Sequence, residues 1–452
     1  MTGRRLLVLL FVVTLPLVTP RLRASDEIEY FAYLRSAVFD RDLSFGNEYQ
    51  YFYERDPGSL ALFKRTFLEL REPLTGRHIN FGPMGSALLW APFYLLVHLG
   101  VKLVGGVADG YSPPYIGAVC YASALYALLG ALLIHDALRR HGGFPEPAAS
   151  WSPAALWLAT PLLYYATLAP GFSHAPSLFA VSLLVWLWLR ARSLEGRAAD
   201  WAWLFTGAAG GLCALVREQD GLFLVAPALD LALTTVGRRA WLEGIRREAV
   251  LAGAAVTVFL PQLAVYKVLT GAYAPSKMVS GKMDYTSPHF LEVLFDPGHG
   301  LFVWSPLLFV AAAGLVVAVR RGPPRVPALL ALAFLLQVWV CGALSTWQQA
   351  GAFGARRFVA TTPVFAWGLA AVLVALLTHL RRASVVALLL AFTWWNVSLM
   401  VQFGLRLMER QRLEWPRVAV NQVKEVPPRL ARTAWLFFTD RERLVKEGVG
   451  GS

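Results

Sequence analysis

The feature that most constrains this chain is the recurrence of long apolar runs, at about 6–20, 83–105, 115–138, 151–168, 174–192, 201–216, 221–236, 249–269, 301–319, 326–344, 358–378 and 384–403. A bilayer core about 30 Å thick needs about 20 apolar residues per helical crossing. Backbone amides in hydrocarbon must find partners within their own element, which leaves helices for runs of this kind. The expected fold class is all-α and polytopic. With 56% hydrophobic and only 16% charged residues, the composition excludes a soluble globular enzyme.

The formal net charge of +13 would suit nucleic acid, but the arginines sit in short clusters between apolar runs, where membrane orientation accounts for them. No nucleic-acid partner is expected. Cys120, Cys213 and Cys341 lie within apolar runs without a CxxC pair, so they read as packing residues and not as a disulfide or zinc framework.

Arginine also sets the orientation. Taking "MTGRR" as cytoplasmic sends residues 21–82 to the outer side. If 83–105 then crossed, "ALRRHGGF" at 137–144, "RARSLEGR" at 190–197, "GRRAWLEGIRRE" at 237–248, "RRGPPR" at 320–325 and "HLRR" at 379–382 would all fall outside, against the positive-inside rule. If instead 83–105, which carries Pro92, His98 and Lys102, dips in or lies on the surface, every cluster returns to the cytoplasm. About eleven crossings plus this non-spanning helix are therefore expected. A transmembrane module over 1–404 carries a first outer loop at 21–82 and a second long one at 270–300, and a charged extracytoplasmic tail follows at 405–452. Within the first loop "IEYFAYLRSAVF" and "SLALFKRTFLEL" have the spacing of surface helices. Residues 1–24 alternatively read as a cleaved signal peptide, but Leu22 stands where a small residue is required, and a retained helix is favoured.

Asp26 and Glu27 stand side by side at the first membrane exit. Two such acids are ordinarily a solvated boundary; the pattern around them says more. The stretch "SDEIEYFAYLRSAVFDRDLSFGNEY" at 25–49 joins the pair to an aromatic helix, an arginine and an Asp-rich turn. It resembles the first outer loop of the GT-C glycosyltransferases that use polyprenyl-phosphate sugars, particularly protein O-mannosyltransferases and the bacterial aminoarabinose transferases of lipid A. Three more stretches are similar to the parts that follow in that family: "INFGPMGSALLWAPFYLLVHLG" at 79–100, "ATLAPGFSHAPSLFAVSLLVWLWLR" at 166–190 and "GLCALVREQDGLFLVAP" at 211–227. The family's His-Pro-Pro or Lys-Pro-Pro start is represented only by Gly82-Pro83.

The resemblance implies a GT-C-like fold and an inverting transfer of a sugar from a polyprenyl-phosphate donor to a lipid, glycan or protein acceptor. It makes Asp26 the catalytic base, with Glu27 orienting the acceptor or tuning charge. The chemistry is consistent: a lipid phosphate leaves as a stabilised anion, so deprotonating the incoming hydroxyl is the main requirement and one carboxylate suffices. A single displacement then inverts the anomeric centre. The expected location is a bacterial inner membrane, with the active site extracytoplasmic.

A phosphate at the outer boundary needs cations where orientation bias removes them. Arg217, Lys277, Lys282, Arg356 and Arg357 break that bias. The arginine pair in "STWQQAGAFGARRFVATTPVF" is the leading donor-phosphate site, because forked hydrogen bonds suit phosphate, and it also matches the family's glycine-then-arginine pattern. Lipid headgroup contact is the plain alternative for the pair. Trp347, His78 and His174 are candidates for substrate contact. His78, His174, His289 and His299 could, with Glu27 or Asp284, hold a divalent cation, but no two histidines have ligand spacing, and no cofactor is expected to be required. Competing readings are a transporter or flippase, in which Lys267, Arg217 and Asp230 would line a path, and a non-catalytic assembly protein. The lack of an internal repeat and the two long outer segments weigh against transport.

Overall fold

The computed structural model describes residues 3–58, 60–238, 240–349, 351–440 and 443. All twelve apolar runs are helical in it. The chain opens with α1 (Gly3–Thr14), places α2 (Ser25–Arg35) and α3 (Gly46–Arg55) in the first polar segment, and continues through α4 (Gly85–Leu103) and α5 (Pro113–Arg140). A broken pair, α6 (Glu146–Ala159) and α7 (Leu162–Thr167), leads to α8 (His174–Ala191), α9 (Gly196–Val216), α10 (Val225–Arg238) and α11 (Trp241–Thr270). After the second polar segment come α12 (Pro306–Arg321), α13 (Arg325–Gly342), α14 (Thr362–His379), α15 (Arg382–Gly404) and, in the tail, α16 (Val426–Thr439). The described residues form no strand beyond two isolated bridges, Arg71 with His78 and Met283 with Leu344.

Nine helices among the described residues are long and apolar enough to cross a membrane, against about eleven expected. The Gly85–Leu103 segment, read from the sequence as non-spanning, is one of them by length and composition. The apolar runs that open on α1, α6 and α12 give helices of only 12, 14 and 16 residues. Each of those runs contains a break: a tight turn at Leu15–Leu17, Thr160-Pro161, and the non-helical Ser305.

Close helix crossings form where glycine removes the side chain. A Cβ on Gly207 or Gly211 of α9 would overlap the carbonyls of Leu251 and Ala255 on α11, and Gly314 of α12 meets Gly368 of α14 in the same way. Such small-residue contacts are how helices approach when lipid competes equally for apolar surface. The break between α6 and α7 is closed by Asn396 of α15, whose amide donates to the carbonyls of Leu158 at 2.8 Å and Thr160 at 3.0 Å.

A second apolar cluster, rich in aromatics, joins α2, α3 and α4 to the first half of α5. Here α4 runs antiparallel to α5, with Trp90 Nε1 donating to Ser123 Oγ at 2.9 Å and the Tyr94 hydroxyl to the Gly110 carbonyl at 2.8 Å. The second polar segment is pinned to the end of α13: Asp284 donates its amide to the Ala343 carbonyl, and Ser345 donates to the Lys282 carbonyl. The Leu413 amide donates to the Pro297 carbonyl, so the tail joins the same assembly.

Candidate active site around Asp26 and Arg356

Leaving α1, the chain runs extended through residues 18–24, with Thr19 donating its amide to the Thr167 carbonyl at 2.8 Å. The first turn of α2 then carries both acids, where the exposed amides of a helix N-terminus favour negative charge. The two carboxylates have different surroundings. Glu27 turns back, and its Oε2 accepts the amides of Arg23 at 2.8 Å and Ala24 at 3.0 Å. This is the carboxylate half of a capping box; Ala24 has no side-chain acceptor to supply the other half. Glu27 is 3% exposed, and its Oε1 is buried without a partner beside Gly171. Burial raises its carboxyl from 4.5 to about 7, against the two amide hydrogen bonds.

Asp26 is partly open. Its Oδ2 lies 3.1 Å from the Arg356 guanidinium, which covers the ring of Phe172 at 4.8 Å. Arg356 opens a tight helical turn, Arg356–Thr361, after Gly354, whose positive φ of 62° suits glycine. A Cβ on Gly354 would also press on Pro161.

Arg217 belongs to the same neighbourhood. It follows α9 in extended conformation and donates to Ser173 Oγ at 3.3 Å and to His174 Nδ1 at 3.1 Å. Ser173 Oγ in turn lies 3.2 Å from the hydroxyl of Tyr30 on α2, which ties Arg217 to the helix that bears Asp26. The His174 ring packs between Tyr165 and Phe172, and its Nε2 is buried without a partner. Arg357 points elsewhere. Its guanidinium donates to the Thr346 carbonyl at 3.1 Å, its amide donates to Gln349 Oε1, and its carbonyl accepts from Gln219.

The remaining sequence candidates make other contacts. Lys277 is exposed at the start of the short helix Lys277–Ser280. Lys282 is exposed above the Phe81 ring at 5.6 Å, and Phe81 donates its amide to Glu29 of α2 at 2.5 Å. Trp347 is buried with its ring 5.6 Å from that of His289, and His78 packs against Gly46 and Tyr49. The described residues gather no group of three or more His, Cys, Asp or Glu side chains able to hold a metal ion. Sequence reasoning missed Tyr30, Ser173, Gln219 and Gln337. Gln337 had a readable signal: it is an amide within an apolar run, and it donates to the Gln219 carbonyl at 2.9 Å.

No protein-family model matches the chain, and no curated protein matches it either. Two solved structures share its fold. The crystal structure of ArnT from Cupriavidus metallidurans bound to undecaprenyl phosphate is 17% identical, with a TM-score of 0.50 over 99% of this chain and 74% of that one. The archaeal oligosaccharyltransferase AglB from Archaeoglobus fulgidus, in complex with an inhibitory peptide and a dolichol-phosphate, is 12% identical, with a TM-score of 0.54 over 96% of this chain and 59% of that one. The chain therefore has the GT-C-like helical fold that its sequence resembles.

Proposed function

We propose that the chain is an inverting membrane glycosyltransferase, which moves a sugar from a polyprenyl-phosphate carrier to an acceptor hydroxyl on the extracytoplasmic face of a bacterial inner membrane. The observation that carries this reading is the Asp26–Arg356 pair, beside Arg217 and the unpartnered nitrogen of His174. The two structures of the same fold were solved with polyprenyl phosphates bound, which supports a carrier of that class.

In this reading the donor phosphate replaces Asp26 as the partner of Arg356. The exchange frees the carboxylate to accept a proton at the moment the leaving group is neutralised. The acceptor oxygen forms a bond to the anomeric carbon, the bond from that carbon to the phosphate oxygen breaks, and the hydroxyl proton passes to Asp26. Arg356 and Arg217 stabilise the departing phosphate. Lys277 and Lys282, exposed on the second polar segment, are proposed as further phosphate partners, and Arg357 holds Thr346 and Gln349 in place. Glu27 starts the helix that aims Asp26.

The test is Asp26→Asn in purified protein supplied with a polyprenyl-phosphate sugar. Loss of transfer with donor binding retained supports the proposal; unchanged transfer overturns it.

A further inference from the structure

Two separate routes join Arg217 to the turn that begins at Arg356. One is aromatic: Arg217 donates to His174 Nδ1 at 3.1 Å, the His174 ring stacks on Phe172 at 5.6 Å, and the Arg356 guanidinium covers Phe172 at 4.8 Å. The other runs through a single amide. Gln219, in the tight helical turn Glu218–Leu224, accepts from Arg217 Nη2 on its Oε1 at 3.3 Å and donates from its Nε2 to the Arg357 carbonyl at 3.2 Å. A guanidinium only donates and a carbonyl only accepts, so these partners admit one orientation of the amide. Gln337 of α13 fixes it further: its Oε1 accepts from Gln219 Nε2 at 3.2 Å, and its Nε2 donates to the Gln219 carbonyl at 2.9 Å. Gln337 is fully buried in a helix apolar enough to cross a membrane, where an amide is costly unless its hydrogen bonds are made.

We infer that Gln219, seated by Gln337, is a positioning residue that fixes the separation of Arg217 and Arg356 so that one phosphate can bridge both. The inference rests on the transferase reading above. Arg217, Arg356 and Arg357 bring like charges to neighbouring turns, and these repel when no anion lies between them. A carboxylate at 219 would oppose that repulsion, but it would also neutralise Arg217 and compete with the phosphate. A neutral amide orients the guanidinium and leaves its charge available to an anion. Both Nη atoms of Arg217 are held by neutral groups, Nη1 by Ser173 and His174 and Nη2 by Gln219, while Asp220 stays 4.0 Å from Nε and its Oδ2 accepts the Ser177 hydroxyl. Among the described residues Nη2 uses one of its two hydrogens on Gln219, which leaves the other for the phosphate. The far end of the Gln219 amide grips backbone, so a shift at the Arg357 carbonyl is transmitted to Arg217. The aim of Arg356 depends on the same turn, Arg356–Thr361.

The experiment titrates undecaprenyl phosphate into the full chain in detergent. Gln219→Met keeps the length of the side chain and removes its hydrogen bonds. Losing a bond to a charged group should raise the dissociation constant about tenfold. In an Arg217→Gln background the same change should raise it by less than about twofold, because a residue that acts through Arg217 has nothing left to position. Gln337→Met, one link further out, should raise it about threefold in the Arg217 chain only, and it carries the test if Gln219→Met does not fold. Gln402→Met makes the same change at a buried amide of α15 that bonds to Ser398 and Val418 and to neither arginine, and it should leave binding unchanged. A rise of equal size in both backgrounds, no rise while Arg217 is intact, or an equal rise from Gln402→Met would each overturn the assignment. If Arg217→Gln alone leaves binding undiminished, it is the donor reading of Arg217 that fails, and this inference falls with it.

Discussion

Asp26 and Arg356, 330 positions apart in the chain, meet at 3.1 Å, while Glu27, the nearest neighbour of Asp26 in sequence, is buried against the backbone of residues 23 and 24. The acidic pair is thus divided between a group open to chemistry and a group that builds the helix start.

The first expectation follows from the open member. Asp26→Asn keeps the size of the side chain and removes its basicity, so the turnover rate should fall about 10²- to 10⁴-fold. Donor binding, measured by equilibrium titration with undecaprenyl phosphate, should stay the same or tighten slightly, since Arg356 loses its resident partner.

Arg356→Gln should act on binding first. Charge-assisted hydrogen bonds of this kind contribute about 1.5–3 kcal/mol, which corresponds to an increase in donor KM of about 10- to 150-fold. Steady-state kinetics over a range of donor concentrations separates this from an effect on turnover. An unchanged KM would remove Arg356 from the phosphate site.

Glu27 predicts a pH dependence. Its folded carboxyl titrates near 7 against 4.5 when unburied, so between those values the folded chain binds the extra proton. Stability is therefore fully present below about pH 4.5 and declines as pH rises toward 7, by about 3 kcal/mol. Glu48 is displaced upward to about 7 by burial and adds in the same direction. Glu27→Gln keeps an acceptor oxygen for the Arg23 and Ala24 amides, and it should flatten part of the fall in apparent unfolding temperature between pH 5 and 8 in detergent.

The helix crossings give a structural control. Gly368→Ala places a methyl group against the Ala311 carbonyl, and overpacking of this sort costs about 1–3 kcal/mol. The unfolding temperature should drop while transfer per folded molecule is kept. Gly253→Ala on α11, where a Cβ meets no neighbour, should leave it unchanged or raise it.

Much of the fold was legible because hydrocarbon enforces it. Each apolar run became a helix, and the resemblance of the first loop to the GT-C pattern agrees with the observed architecture. Helix lengths were less legible. Thr160-Pro161 and Ser305 interrupt runs that read as continuous, since hydropathy does not register a break whose carbonyls are met by a distant amide such as Asn396. At the site, the cations that stood where orientation bias should have excluded them were visible in sequence. What each one touches was not: Arg356 and Arg357 are adjacent, yet one faces Asp26 and the other Thr346, a division set by the turn after Gly354. The role of Glu27 was equally hidden, because it depends on the extended path of residues 23 and 24 and not on composition.

The split between the two acids limits how freely the first helix can vary. Reversing the order to Glu-Asp would conserve every bulk property of the segment, yet aspartate at 27 is one methylene too short to reach the amides of Arg23 and Ala24, and glutamate at 26 would overshoot Arg356. The two acids are therefore not synonyms, and a transposed pair should lose the helix start and the arginine contact together.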